Sequence, residues 1–196
     1  MRVPAPSGSW LRRFPPSLMT SDLPLAVDLD GTLILTDMSR VTIRRVLLPR
    51  PWLVPWVLAL EIAGKRARWK RVLGERLKFD PAELTYHAEF LTWLEGEVAR
   101  GREVILCTAS ERCVAEKIAA HVGLFSDVMA SDGITNLRMA AKGRALAERY
   151  GEGQFAYAGN SSHDLKTWPF AGEIIVVNAS QRTKAALGDT PSLIFD

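Results

Sequence analysis

An apolar run from Pro24 to Val27 stops abruptly at Asp28-Leu29-Asp30-Gly31-Thr32-Leu33, and this junction limits what the chain can become. The run predicts a short buried strand. Side chains alternate faces along a strand, so Asp28 and Asp30 leave its end on the same side while Leu29 turns away. Gly31 lets the backbone swing off behind them. Two carboxylates converging at a strand end are unfavourable unless a cation or a proton separates them. A bare D-x-D reads equally well as a polar strand-to-loop turn, so the rest of the chain has to decide.

The alternation that follows points to an α/β fold with a parallel sheet and helices on both faces. Strands are expected at Glu103 to Cys107, Asp127 to Ala130, Gln154 to Ala158 and, as the final core strand, Glu173 to Val177. Helices are expected at Ser110 to Val122, Ala140 to Tyr150 and Ser162 to Trp168. Ligands in such sheets bind beyond the carboxyl ends of the strands, where Asp28, Thr108 and Asn160 all fall. Residues 37–100 carry no strand signal. Asp37 or Ser39 can cap a helix through Val41 and Leu48. Others are expected over Trp56 to Ala63, over Lys65 to Leu77, and from an Asp80 cap through Pro81 to about Arg100. The chain divides into an arm over 1–22, a core formed by 23–36 and 101–196, and a helical insertion over 37–100.

Composition narrows the class. A chain of 196 residues, 47% hydrophobic and 24% charged, can bury one core. A net charge of +3 suits an anionic substrate or membrane surface and is too mild for nucleic acid. Cys107 and Cys113 are the only cysteines and offer neither a disulfide framework nor metal spacing, which favours a cytoplasmic setting. No apolar run has the length of a membrane-spanning helix.

D-x-D-G-T-L after an apolar strand resembles the first motif of the haloacid dehalogenase (HAD) superfamily of phosphohydrolases. Val104 to Thr108 is similar to the second motif, Lys142 in Met139-Ala140-Ala141-Lys142-Gly143 to the third, and Gly159-Asn160-Ser161-Ser162-His163-Asp164 to the fourth. The resemblance implies a Rossmann-like HAD core with an all-helical cap inserted after the first strand. It implies Asp28 as a nucleophile that becomes an aspartyl-phosphate and Asp30 as acid/base. Magnesium would be held by Asp28, the Asp30 carbonyl and Asn160 or Asp164. Thr108 and Ala109 would bind phosphate, Lys142 would neutralise its charge, and Thr32, Ser161 and His163 would stand behind these groups. Thr108 is preferred to Ser110, which is better placed to cap a helix. Asn160 stands where the motif has Asp, and an amide oxygen ligates without charge.

A narrower resemblance rests on Tyr157-Ala158-Gly159-Asn160-Ser161, Asp164-Leu165, Val176-Val177-Asn178-Ala179-Ser180 and Ala130-Ser131-Asp132-Gly133. These look like the HAD domain fused to UbiA-like polyprenyl prenyltransferases. That implies a polyprenyl-phosphate-linked sugar phosphate as substrate, a prenyltransferase as partner, and peripheral contact with the inner face of the membrane. Trp52, Leu53, Trp56, Val57 and Leu60, flanked by arginines and lysines, fit an interfacial stretch; the insertion's own core with a solvated basic face is the reading slightly favoured. The expected activity is magnesium-dependent phosphomonoester hydrolysis. A low-turnover docking domain is the rival, and a phosphomutase or phosphotransferase a lesser one.

Overall fold

The computed structural model describes residues 22–196, so the arm expected over 1–22 lies, all but its last residue, outside the described residues. Strand β1 (Leu25–Val27) is central, with β2 (Val104–Glu111) and β3 (Asp127–Ser131) on one side. On the other side lie β4 (Ala156–Gly159), β5 (Glu173–Val177) and β6 (Leu193–Phe195). All pairings are parallel. The chain therefore winds outward in both directions from β1, and the crevice at that reversal opens at the strands' carboxyl ends. The α/β class expected from the alternation is what the structure has. The sheet also holds one strand more than expected: β6 follows β5, and only its outer residues Leu193 and Phe195 are buried.

Strand parity separates two cores. Leu25, Val27, Leu29, Val104, Leu106, Ala156 and Ala158 share one face. That face packs against α4 (Ala88–Ala99) through Phe90, Trp93 and Leu94, and against α5 (Arg112–Val122) through Val114, Ala115 and Ile118. Ala26, Ile105, Cys107, Phe155 and Tyr157 form the opposite face, against Leu146 of α6 (Ala140–Tyr150). Such fully buried side chains are worth ~1.5–3 kcal/mol each. Asp28 continues the Ala26 face, so it points to the side from which α6 approaches.

Between β1 and β2 the structure is helical apart from isolated bridges at Ile34. Helix α1 (Met38–Thr42) starts at an Asp37 cap, whose carboxylate accepts from the Ser39 and Arg40 amides, and runs into a π-helical turn over Ile43–Leu47. Then come α2 (Val54–Ile62) and α3 (Arg66–Arg76). The helix expected from Asp80 to Arg100 is broken. Asp80 caps only a 3-10 turn, Pro81–Glu83, and α4 begins after His87, whose ring nitrogen Nδ1 accepts the Phe90 amide. The Tyr86 hydroxyl bonded to the Pro81 carbonyl, and the Ile34–Tyr86 bridge, hold the intervening residues extended. Helix α2 has no buried residue, and Trp52, Leu58 and Ile62 are 69%, 55% and 88% exposed. Among the described residues no helix is long and apolar enough to cross a membrane.

After β5, α7 (Gln181–Leu187) leads to β6. The helix expected over Ser162 to Trp168 is instead two 3-10 turns, Asp164–Lys166 and Trp168–Phe170, because the Asp164 side chain folds back on its own loop.

Candidate active site

Asp28, Asp30, Thr108, Ala109, Lys142, Asn160, Ser161, His163 and Asp164 all line one cavity of about 620 Å³ at the carboxyl ends of β1, β2 and β4. Thr32, expected behind them, is fully buried, and its hydroxyl has no hydrogen-bond partner among the described residues.

At the floor, the Lys142 amine in the first turn of α6 donates to Asp28 Oδ1 at 2.7 Å and to the Tyr157 hydroxyl at 2.7 Å. A lysine at a helix N-terminus adds like charge to the positive dipole end, and the Asp28 carboxylate offsets it. Tyr157 in turn donates to Asp164 Oδ1 at 2.8 Å. Burial pushes the Asp28 carboxyl up to about 7, with Lys142 opposing and Asp164 adding to it. Burial pulls the Lys142 amine down, but Asp28 and Asp164 outweigh it, so the amine stays above its ordinary value and remains charged.

Tyr157 is the site residue that the sequence motifs missed. Its register explains its place: it pairs with Ala26, and Ala26 shares a face with Asp28 two residues on. An aromatic hydroxyl in an otherwise small, apolar strand was the available signal.

Asp30 is gripped at both oxygens, by the Met38 amide at 2.6 Å and the Ser110 hydroxyl at 2.7 Å. Burial raises its pKa, opposed by these two bonds. Ser110 was expected to cap a helix. Instead β2 extends to Glu111, α5 starts one residue later, and Ser110 serves Asp30. A hydroxyl partner can donate to the carboxylate and accept from the acid. Thr108, fully buried, accepts the Ser110 amide at 3.0 Å, which leaves its own hydroxyl proton for another acceptor. The Ala109 carbonyl accepts from the Lys70 amine and, at 2.9 Å, from the Ser131 hydroxyl. Lys70, on α3, also escaped the sequence reading, because helix spacing alone does not show which exposed-looking lysine turns inward.

Asp164 is buried and fully engaged. Oδ1 takes Tyr157, and Oδ2 takes the Asn160 amide and both the Ser161 amide and hydroxyl. It shapes the loop that presents Asn160. A Cβ on Gly31, whose φ is +80°, would stand 2.0 Å from Asn160 Nδ2, so only glycine admits the Asn160 side chain against β1's turn. His163 is exposed, and its Nε2 lies 2.6 Å from the Arg138 guanidinium, which donates to it.

Among the described residues no three His, Cys, Asp or Glu side chains gather closely enough to hold a metal by themselves. The lining residues that carry hard oxygen donors are instead mixed: Asp28, Asp30 and Asn160. Magnesium binds through one or two carboxylates and keeps further positions for water or phosphate, so this set fits it. The Asp28 carboxyl is raised chiefly by burial, and a cation bound beside it would favour its charged form.

The family model for haloacid dehalogenase-like hydrolases matches residues 63–168. An uncharacterised protein, y4nM of Sinorhizobium fredii, is 31% identical over 165 residues. That match covers 84% of this chain and 32% of y4nM, so the chain spans about a third of that relative's length. Solved structures share the fold. A protein of unknown function from Bordetella pertussis matches at a TM-score of 0.69 and 16% identity, over 88% of this chain and 97% of that one. A HAD family hydrolase from Salmonella enterica serovar Typhi matches at 0.63 and 16%, over 92% and 69%. Phosphoserine phosphatase in its apo form matches at 0.61 and 16%, over 88% and 92%. With the matched segment spanning more than half of its length, this chain belongs to the haloacid dehalogenase-like hydrolase family.

Proposed function

We propose that the protein is a phosphomonoester hydrolase that works through a phospho-aspartate on Asp28 and uses magnesium. The observation that carries this is the Lys142 amine held between Asp28 Oδ1 and the Tyr157 hydroxyl, beside an Asp30 whose partner is a hydroxyl. Asp28 attacks phosphorus, and the bond to the leaving oxygen breaks as Asp30 gives that oxygen its proton. Asp30, now a carboxylate, takes a proton from water as the water attacks the phospho-aspartate, which frees phosphate and restores Asp28. Burial favours the protonated Asp30 that the first step needs. Thr108 and the Ala109 backbone orient the phosphoryl oxygens, and the Lys142 charge lowers their repulsion with Asp28. Magnesium on Asp28, the Asp30 carbonyl and Asn160 would supply further positive charge at the transferring group. Asp164, with both oxygens committed to loop and Tyr157 donors, suits positioning better than inner coordination. Residues 37–100 act as the cap, hinged near 35–37 and 98–101, over the core of 23–36 and 101–196.

The finer reading takes the substrate as a sugar phosphate carried on a polyprenyl phosphate. Its supports are the Gly-Asn-Ser form of the fourth motif and the exposed apolar face of α2 between arginines and lysines, which suits an anionic membrane surface at the inner face. A UbiA-like prenyltransferase is the partner that would make such a substrate.

Magnesium-dependent phosphate release from an aryl phosphate tests the activity. Asp28→Asn is expected to reduce turnover at least ~10³-fold without lowering thermal stability. Turnover near that of the unmodified protein would defeat the nucleophile assignment and favour the docking-domain rival. Preference for soluble sugar phosphates over a lipid-linked one would defeat the finer reading alone.

A further inference from the structure

The cavity is far larger than one phosphoryl group requires, and its walls differ in charge with depth. The floor holds Asp28, Asp30 and Asp164 around Lys142. The outer wall carries cations: Arg66 and Lys70 come from α3 and Arg138 from the loop before α6, while Arg40, which also lines the cavity, is paired with Asp37. These cations are not equally compensated. Arg66 is paired with Glu61, which also accepts from the Trp69 indole. Lys70 donates to a neutral carbonyl, that of Ala109. Arg138 donates to a ring nitrogen of His163, and among the described residues no carboxylate lies within ion-pair distance of it.

Of the three, only Arg66 has a carboxylate within ion-pair distance among the described residues, while Asp30 and Glu111 act on Lys70 from farther off. The proximity of the three cations is visible in Lys70, whose amine is pushed down by burial and further by Arg66 and Arg138, with Asp30 pulling the other way. The backbone holds this arrangement at a cost. Met139, next to Arg138, has φ +56°, a left-handed conformation that favours glycine, and its carbonyl is fixed by the Thr167 hydroxyl at 3.0 Å. A half-buried guanidinium facing the cleft beside a strained neighbour, with no carboxylate in ion-pair contact among the described residues and Glu61 acting on it only from farther off, is arranged for an anion that arrives with a ligand. Guanidinium groups match phosphate with paired hydrogen bonds, and an excess of positive charge selects phosphate over a single carboxylate.

We propose that Arg138, with Arg66 and Lys70 beside it, forms a second anion subsite that takes a phosphate-class group carried by the same substrate as the reacting phosphoryl group. This rests on the hydrolase reading for the first group, but its binding does not depend on turnover. The substrate is then a sugar bisphosphate or a sugar phosphate whose other phosphate is esterified, and both sources share this chemistry.

The test is calorimetric binding to the Asp28→Asn protein with magnesium present. The ligands are a hexose monophosphate, the matched bisphosphate, and the same sugar phosphate with its second phosphate esterified to a short polyprenyl chain. At least one doubly phosphorylated ligand is expected to bind about tenfold or more tighter than the monophosphate. Adding Arg138→Gln should cut that ratio to about twofold, Arg138→Lys should keep an intermediate ratio, and salt should compress it. The tighter of the two doubly phosphorylated ligands identifies the source. Equal binding of all three ligands overturns the subsite, and so does a ratio unchanged by Arg138→Gln in a variant that melts like its parent. Aryl phosphate turnover by the unmodified protein is scored separately, so loss of the subsite with turnover intact is distinct from failure of the hydrolase reading.

Discussion

At the scale of single residues, the site depends on a buried chain of hydrogen bonds as much as on the groups proposed to do chemistry. The Tyr157 hydroxyl accepts from Lys142 and donates to Asp164. Burial raises its pKa well above the ordinary value, and Asp164 and Asp28 add to that, so it stays a neutral donor. Tyr157→Phe keeps the ring and removes one acceptor and one donor. A buried polar group left without its partner costs ~1–3 kcal/mol, and the Asp164 loop would lose the contact tying it to α6. The expected outcome is a loss of ~1–3 kcal/mol in urea denaturation, together with a fall in kcat of about tenfold or more on an aryl phosphate. A stability loss with kcat unchanged would make Tyr157 a packing residue only. Asp28, Asp30, Thr108, Lys142 and Asn160 were legible because each sits in a short local pattern. Tyr157 was not, because its role depends on the register between β1 and β4 and on α6 reaching that face.

At the scale of elements, helix α3 packs tightly onto the end of β2 at Gly74. A Cβ on Gly74 would stand 2.9 Å from Glu111 Cγ. Glu111 is buried beneath the helix, and its Oε2 has no hydrogen-bond partner among the described residues. Burial pushes its carboxyl from 4.5 up to about 6, with Arg71 opposing. The folded state therefore holds the proton more tightly than the unfolded state. The contribution to stability is intact below about 4.5 and is lost as pH rises through about 6. Glu111→Gln removes the buried charge, so it should stabilise the protein by ~1 kcal/mol at pH 8, discounted for the nearby solvent and cations, and by nothing at pH 4.5. Urea midpoints at the two pH values check this, and an equal change at both would assign the effect to shape rather than charge. The same region shows where sequence reading fails. The extents of α2 and α3 follow proline, glycine and helical spacing and were nearly right. The break before α4 was hidden, because it is set by a tyrosine–carbonyl bond and a strand bridge to Ile34 across the fold.

At the scale of the whole molecule, the sheet and the helical insertion are fastened at the end opposite the cavity. Arg102, just before β2, donates to Glu97 of α4 at 2.8 Å, to Glu173 at the start of β5 at 2.7 Å, and to the Leu23 carbonyl ahead of β1 at 2.7 Å. All three charged side chains are buried. Nothing in the local sequence marks this triad, since its members lie 5 and 71 residues from Arg102. The strands themselves were legible from their apolar runs. Replacing a buried ion group by apolar residues can be neutral, but removing one partner alone leaves charge buried without its counter-ion. Arg102→Ala removes the cation that bridges two buried carboxylates, and Glu97 keeps its ion pair with Arg100, so the expected loss is at most ~3–5 kcal/mol at pH 7. The Glu97→Gln/Glu173→Gln background should reduce it, because the buried charges are then absent. Because the triad joins the last helix of the insertion to both halves of the sheet, the variant should unfold in one transition at lower denaturant. A separate early transition would mean that the insertion and the sheet are fastened elsewhere, and that the proposed hinge near 98–101 can open without disturbing the core.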